Sequence, residues 1–164
     1  MATRGKAALS EAAVTDQTIG FFEAHGWRPI RHQRFVIPGA GQSGESGMPD
    51  YQLVYYLESG VALIIWCELK STTARDDCRC LERREKGKRG VCTLCAQAAW
   101  RRKEMLRSKG RAVVIRARGI DEPVQRAEAN GDLVCGGFLG DWYDLKYGWL
   151  HQGAAADGQM RLVG

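Results

Sequence analysis

Histidine occurs only three times in this 164-residue chain and proline only four times, and long apolar runs are missing altogether. Each shortage excludes something. A membrane-crossing helix takes roughly 18 or more consecutive apolar residues, whereas the longest apolar run here is Val61–Cys67. His25, His32 and His151 form no histidine-based metal pattern. There is no Gly-x-x-x-x-Gly-Lys loop, because the glycine-rich stretch Gly39–Gly47 lacks the lysine and precedes a strand, so neither nucleotide hydrolysis nor a nucleotide cofactor is expected. No apolar segment of signal-peptide length follows Met1–Lys6, and no internal repeat is visible. What remains is a chain with 45 % hydrophobic residues, enough for one domain with a core of its own. Lys plus Arg exceed Asp plus Glu by 24 to 19, a net +5 that suits a polyanionic partner without requiring one.

The most informative stretch is Gly47–Lys70. It reads Gly47-Met48-Pro49-Asp50, an alternating run Tyr51–Leu57, a turn at Glu58-Ser59-Gly60, and the apolar run Val61–Cys67 ending in Glu68-Leu69-Lys70. Two such runs joined by a glycine-containing turn predict a β-hairpin. With the turn centred on Ser59, Asp50 and Glu68 are each nine residues away and face one another, and Lys70 shares the face of Glu68. Facing carboxylates repel unless a cation lies between them. A divalent metal meets that need, and Lys70 can then hold or deprotonate a water on it. Taken singly, Pro-Asp is common at turns and Glu-x-Lys is usually a solvated strand edge. Here the charges end a nearly all-apolar run that reads as a central strand covered on both faces, where unpaired charge is costly.

These residues resemble the Pro-Asp…(Asp/Glu)-x-Lys signature of the restriction-endonuclease-like nucleases. The order of elements resembles the VRR-NUC family in particular: a helix opening at Ser10-Glu11, Gly26-Trp27, the Gly-Met-Pro-Asp segment, Glu68-x-Lys70, then Gln97 and Trp100 on a helix before Gly110–Arg116. The resemblance implies a metal-dependent endonuclease hydrolysing DNA phosphodiesters with Mg²⁺ or Mn²⁺. Asp50, Glu68, the Leu69 main-chain carbonyl and Glu11 would surround the metal, with Lys70 on the attacking water and Gln97 beside it. Asp16 or Glu23 could stand in for Glu11. It further implies branched DNA as substrate, flaps or four-way junctions, and a homodimer, since two symmetric nicks need two sites. Such a protein is expected inside the cell, cytoplasmic or nucleoid-associated.

Four of the six cysteines fall together as Cys78-x-Cys80 and Cys92-x-x-Cys95. Two short pairs, each offering two thiolates from one turn, match a tetrahedral zinc knuckle. An intracellular setting argues against disulfides, and the compact spacing is unlike the widely split cysteines of iron–sulfur nucleases. Cys67 and Cys135 are left as free thiols. Basic residues cluster three times around the carboxylates, at Arg28, Arg31, His32 and Arg34, at Arg83, Arg84, Lys86, Lys88 and Arg89, and at Arg101, Arg102 and Lys103. Solvated helix faces look similar, but three clusters about one site favour a phosphate-lined groove. The runner-up function is a non-catalytic nucleic-acid-binding or scaffold module built on the cysteine insertion. A restriction- or repair-type endonuclease on unbranched DNA is a third.

The expected architecture is α/β: a mixed sheet of about four strands flanked by helices. The nuclease domain would span 10–129, with the cysteine insertion at 72–95 and an aromatic, glycine-rich extension at 130–164. Helices are expected over Ser10–His25, Cys95–Ser108 and Asp121–Ala129, and strands at Arg31–Ile37, Ala112–Ala117 and the hairpin. Trp142, Tyr143, Tyr147 and Trp149 could stack on bases, though packing over the sheet is the better expectation. Arg161-Leu162-Val163 could add a short last strand.

Overall fold

A computed structural model describes residues 7–32, 36–37, 41–42 and 45–154. Helix α1 (Glu11–Ala24) begins where expected, with the Ser10 hydroxyl accepting from the Ala13 N–H, and stops at His25 before Gly26 in the left-handed region. Strand β1 (Arg28–Arg31) starts earlier than the expected Arg31–Ile37 strand, because Trp27 turns into the core and draws the chain onto the sheet directly. Val36–Ile37 (β2) and Gly41–Gln42 (β3) pair with each other in a separate two-stranded sheet. Then come β4 (Tyr51–Tyr56) and β5 (Ala62–Leu69) of the hairpin, α2 (Cys80–Glu85) inside the insertion, α3 (Thr93–Arg107), β6 (Val113–Ala117), β7 (Pro123–Ala127), β8 (Leu133–Phe138), α4 (Leu139–Tyr147) and a 3₁₀ turn to Ala154.

The main sheet has six strands in the order β1-β4-β5-β6-β7-β8, not the expected four. β5 and β6 run parallel in its centre and every other pair is antiparallel. Two additional strands come from segments read otherwise. Asp121-Glu122-Pro123 imitates a helix start, yet Pro123–Ala127 is β7. Val124 is buried and the backbone pairs with β6 and β8, which satisfies more hydrogen bonds than one helical turn could. Pro123 occupies the first strand position, where proline is tolerated. β8 opens the 130–164 segment and forms the far edge.

Alternation along β5 divides the core in two. Ile65, Cys67 and Leu69 face α1 and α4 through Val14, Phe22, Leu139, Trp142 and Tyr143. Trp66 faces α3, meeting Trp100 edge-on with ring centroids 5.1 Å apart, alongside Val114 and Met105. β5 is central as expected, but only Ile65 and Cys67–Leu69 are buried, Trp66 is partly covered and Ile64 is exposed. The aromatics of 130–164 pack inward: Trp142, Tyr143 and Tyr147 are buried, and the Tyr143 hydroxyl accepts from Trp27 Nε1 at 3.1 Å. Base stacking by them is thereby excluded, whereas Trp149 stays half-exposed. Residues 161–163 lie outside the described residues.

Candidate functional site

The hairpin register pairs Tyr51 with Cys67 and Tyr56 with Ala62, centred on Ser59 as the sequence required. Continuing it by one residue sets Asp50 against Glu68. The ladder is in fact extended by side chain, since the Leu69 N–H donates to Asp50 Oδ2 at 3.2 Å, while the Asp50 carbonyl accepts from the His32 N–H at 2.8 Å. Gly47 explains how Asp50 reaches this place. Its φ is +83°, and a Cβ there would lie 2.1 Å from the Ala96 carbonyl oxygen. The Gly-Met-Pro-Asp segment therefore rests directly on the backbone of α3, one residue from Gln97.

Glu68 and Lys70 sit at the carboxyl end of the parallel pair, where ligand sites of open α/β sheets gather. Lys70 Nζ lies 2.9 Å from Glu68 Oε1. Glu68 is 3 % exposed, and burial pushes its carboxyl above the usual glutamate range against the opposing pull of Lys70 and Arg116. On α3 above it, Gln97 and Arg101 are one turn apart and both buried; Gln97 Oε1 and Arg101 Nη1 have no hydrogen-bond partner. His32 stacks on Trp66 beside them, 5.5 Å between centroids.

Two separate clefts open beside these groups, one lined by Asp50 and Leu69 and the other by Lys70. A cleft of about 380 Å³ is lined by Glu11, Asp16, Arg31, His32, Asp50 and Leu69, among others. It gathers Asp50 with the first helix and keeps both Glu11 and Asp16 as supporting carboxylates. Glu23, twelve residues along α1 and so about 18 Å from Glu11, is not part of it. The other cleft, about 420 Å³, is lined by Lys70, Arg75, Arg79, Glu82, Arg83, Lys86 and Lys88 with Cys92 and the first residues of α3.

Beyond it lies the cysteine cluster. Sγ atoms of Cys78, Cys80, Cys92 and Cys95 are all within 4.8 Å of one another. Separations are 3.3 Å for Cys78–Cys95, 3.7 Å for Cys80–Cys95 and 3.9 Å for Cys78–Cys92. A tetrahedral ion with bonds of about 2.3 Å would set its thiolates roughly 3.8 Å apart, so the four can hold a metal ion such as zinc. Main-chain N–H groups of Arg79 and Cys95 draw the Cys92 thiol down to about 6, while hydrogen bonding to the other three thiols pushes that of Cys95 up to about 12, so the thiols ionise as a linked set with Cys92 first. Among the described residues this is the one group of three or more His, Cys, Asp or Glu side chains close enough to share an ion. Glu11, Asp50 and Glu68 do not converge to that degree.

The basic residues distribute unevenly. Arg31, Arg83, Lys86 and Lys88 line the two clefts; Arg84 and Arg89 are exposed on the insertion. Arg102 is exposed and 3.9 Å from Asp132. Arg101, expected on the surface, is 8 % exposed and donates to the Gly131 carbonyl at 3.1 Å, because its helical position faces the sheet, not solvent. Arg34 lies outside the described residues. Cys67 is a buried free thiol as expected, but Cys135 is exposed on the edge strand β8.

Sequence reasoning missed Arg75, Arg79, Asp76 and above all Arg116. Arg116 is the ladder partner of Glu68 on β6, 6 % exposed. The signal was present, because Arg116 ends the apolar run Ala112–Ile115 as Glu68 ends Val61–Cys67. Among the described residues no helix is long and apolar enough to cross a membrane. No family model, curated protein or solved structure matches the chain.

Proposed function

We propose that the protein is a Mg²⁺- or Mn²⁺-dependent DNA endonuclease on a restriction-endonuclease-like core. The observation that carries this is the placement of Asp50, Glu68 and Lys70 together at the carboxyl end of the central parallel strands. The donor set fits a hard cation: it is all oxygen, and Mg²⁺ commonly binds through only one or two carboxylates while keeping several waters. Burial pushes the Glu68 carboxyl up, and a bound cation would offset that by favouring the carboxylate. Asp50, Glu68 and the Leu69 carbonyl would hold the ion, with Glu11 or Asp16 behind. Once bound, such an ion supplies Lewis acidity toward the phosphate and acidifies water. Lys70, an ammonium paired with Glu68, would orient the attacking water and stabilise the hydroxide left as its proton passes to solvent; Gln97 Oε1 offers a free acceptor on α3, and closure of α3 over Trp66 keeps bulk solvent from that side.

The cysteine cluster is read as a structural zinc knuckle that presents the basic cleft to the phosphate backbone. Six cations against one carboxylate line that cleft, and Lys70 is one of them, so a strand lying in it would pass the candidate catalytic lysine. A branched substrate and a homodimer follow from the VRR-NUC resemblance alone. The second reading, a non-catalytic nucleic-acid-binding module, is favoured by one observation: among the described residues only the cysteines are gathered to metal distance.

A cleavage panel of labelled duplex, single strand, 5′ flap and four-way junction, with Mg²⁺ or Mn²⁺, tests the proposal. The wild type should cut with either metal and not with chelator. Asp50→Asn and Glu68→Gln should abolish cutting while DNA binding persists, and Lys70→Ala should slow it by on the order of 10²-fold. Robust cleavage by Asp50→Asn sinks the site; metal-independent binding without cleavage of any arm favours the second reading.

A further inference from the structure

The segment between the candidate catalytic strand and the cysteine cluster is held by two arginines, Arg116 of β6 and Arg118 just past its end. Arg118 Nη1 donates to the Ser71 and Ala74 carbonyls, each at 2.9 Å, and its Nη2 to Asp76 Oδ1 at 2.7 Å. Arg116 Nη1 donates to the same Asp76 oxygen at 3.0 Å. Asp76 is thus gripped twice, and only Asp77 separates it from Cys78. Its position depends on where the cysteine cluster places the chain.

Arg116 gives this grip its consequence. It stands directly opposite Glu68 in the β5–β6 ladder and on the same face, its side chain is 7 % exposed, and its Nε has no hydrogen-bond partner. Apart from Asp76, its one other hydrogen-bond acceptor among the described residues is Gln125 Oε1 at 3.5 Å, a long bond to a neutral group. A buried guanidinium deprived of its carboxylate seeks another, and Arg–carboxylate pairs form readily as two-point contacts. Glu68 is the carboxylate that faces it. Lys70 already lies 2.9 Å from Glu68 Oε1, so a guanidinium engaged on Glu68 would occupy the remaining oxygen that a metal ion requires.

We propose that Asp76 is a positioning residue which, by holding Arg116 off Glu68, couples metal occupancy of the four-cysteine cluster to metal binding at Asp50 and Glu68. With the cluster closed on its ion, Asp76 is in place and Glu68 stays open to a divalent cation. With the cluster emptied, residues 75–79 lose their anchor, Asp76 leaves, and Arg116 pairs with Glu68. The inference rests on the nuclease reading of Asp50 and Glu68, but it concerns binding and is testable without cleavage.

Mn²⁺ binding to the full chain, followed by its electron paramagnetic resonance signal, is measured before and after the cysteine metal is stripped, with elemental analysis throughout. Stripping should weaken Mn²⁺ binding by about tenfold, the size that one competing charge-assisted pair implies. Asp76→Ala should retain its cysteine metal yet bind Mn²⁺ as weakly as stripped wild type, and stripping it should change nothing more. Adding Arg116→Met to Asp76→Ala should restore tight Mn²⁺ binding, which a merely structural role for Asp76 does not anticipate. Asp76→Ala that keeps both its cysteine metal and wild-type Mn²⁺ affinity overturns the coupling. If Asp76→Ala loses the cysteine metal, Arg118→Gln loosens the same carboxylate from the strand side and must reproduce the weak binding; wild-type affinity there overturns it equally. A wild type that binds no Mn²⁺ at all would refute instead the metal-site reading on which the coupling depends.

Discussion

A carboxylate only 3 % exposed is costly to ionise, and Glu68 keeps its proton to higher pH than an exposed glutamate because burial outweighs Lys70 and Arg116. In the metal-free protein the folded state then holds a proton that the unfolded chain has released, so stability falls as pH rises from about 4.3, the ordinary glutamate value, through the raised one. A divalent ion needs the ionised form, so its binding should fade as pH drops through that same window. Melting temperature against pH with and without Mn²⁺ checks both signs: the metal-free curve declines, and the gap between the curves widens with pH. A pH-independent gap would contradict the assignment. Gly47 carries the other residue-level expectation. Gly47→Ala puts a methyl 2.1 Å from a helix carbonyl at a φ of +83°, so it should destabilise by about 1–3 kcal/mol. Cleavage should fall further than the lost stability explains, because Asp50 is displaced with it; denaturant titration and single-turnover rates separate the two effects.

At the scale of elements, the insertion is the part that cannot order itself. Helix α2 is six residues long with none buried; Leu81 within it and Val91 beyond it lie exposed. Without a shared ion the segment has too little apolar burial to offset its chain entropy. Cys92→Ser should therefore lose the cysteine metal and make residues 75–92 sensitive to protease, while the sheet melts cooperatively at nearly the wild-type temperature. Elemental analysis should find about one zinc per chain in a colourless wild type; a brown protein absorbing in the visible would assign the cysteines to an iron–sulfur cluster. The same contrast explains what was legible in the sequence. The hairpin, its register and α1 are local patterns with a centred turn or a cap, and they could be read from Ser59 and Ser10 outward. The cysteine spacing was legible because the ligands themselves were the pattern. β7 was not, because Asp121-Glu122-Pro123 carries a helix-start signal that only the free edge of β6 overrides. Nor was the inward turn of Arg101, since a basic residue within Arg101-Arg102-Lys103 looks like its neighbours until the face of α3 is known.

For the whole molecule, the decisive fact is that residues 139–150 close the core rather than trail from it. Leu139 and Tyr143 are fully buried, and Trp142, Tyr147 and Leu150 pack on the same cluster as Phe22, Trp27 and Ile65. A chain ending at Ala129 would also leave β7 as a raw edge once β8 is gone. Such a truncation should lose its sharp thermal transition and bind hydrophobic dyes, even though it retains every candidate catalytic residue. Cooperative unfolding at the full-length temperature would show that the first 129 residues form an independent unit.

Trp66 lies between the imidazole of His32 and the indole of Trp100, two positions before Glu68. Two indoles held edge-on at 5.1 Å share their electronic excitations, and a neighbouring imidazole that gains charge quenches them. The candidate active site thereby carries its own optical label. Any ion or strand that shifts α3 against β5 should change the near-ultraviolet dichroism of this pair, with Trp66→Phe as the blank, so occupancy can be followed by light on the unmodified chain.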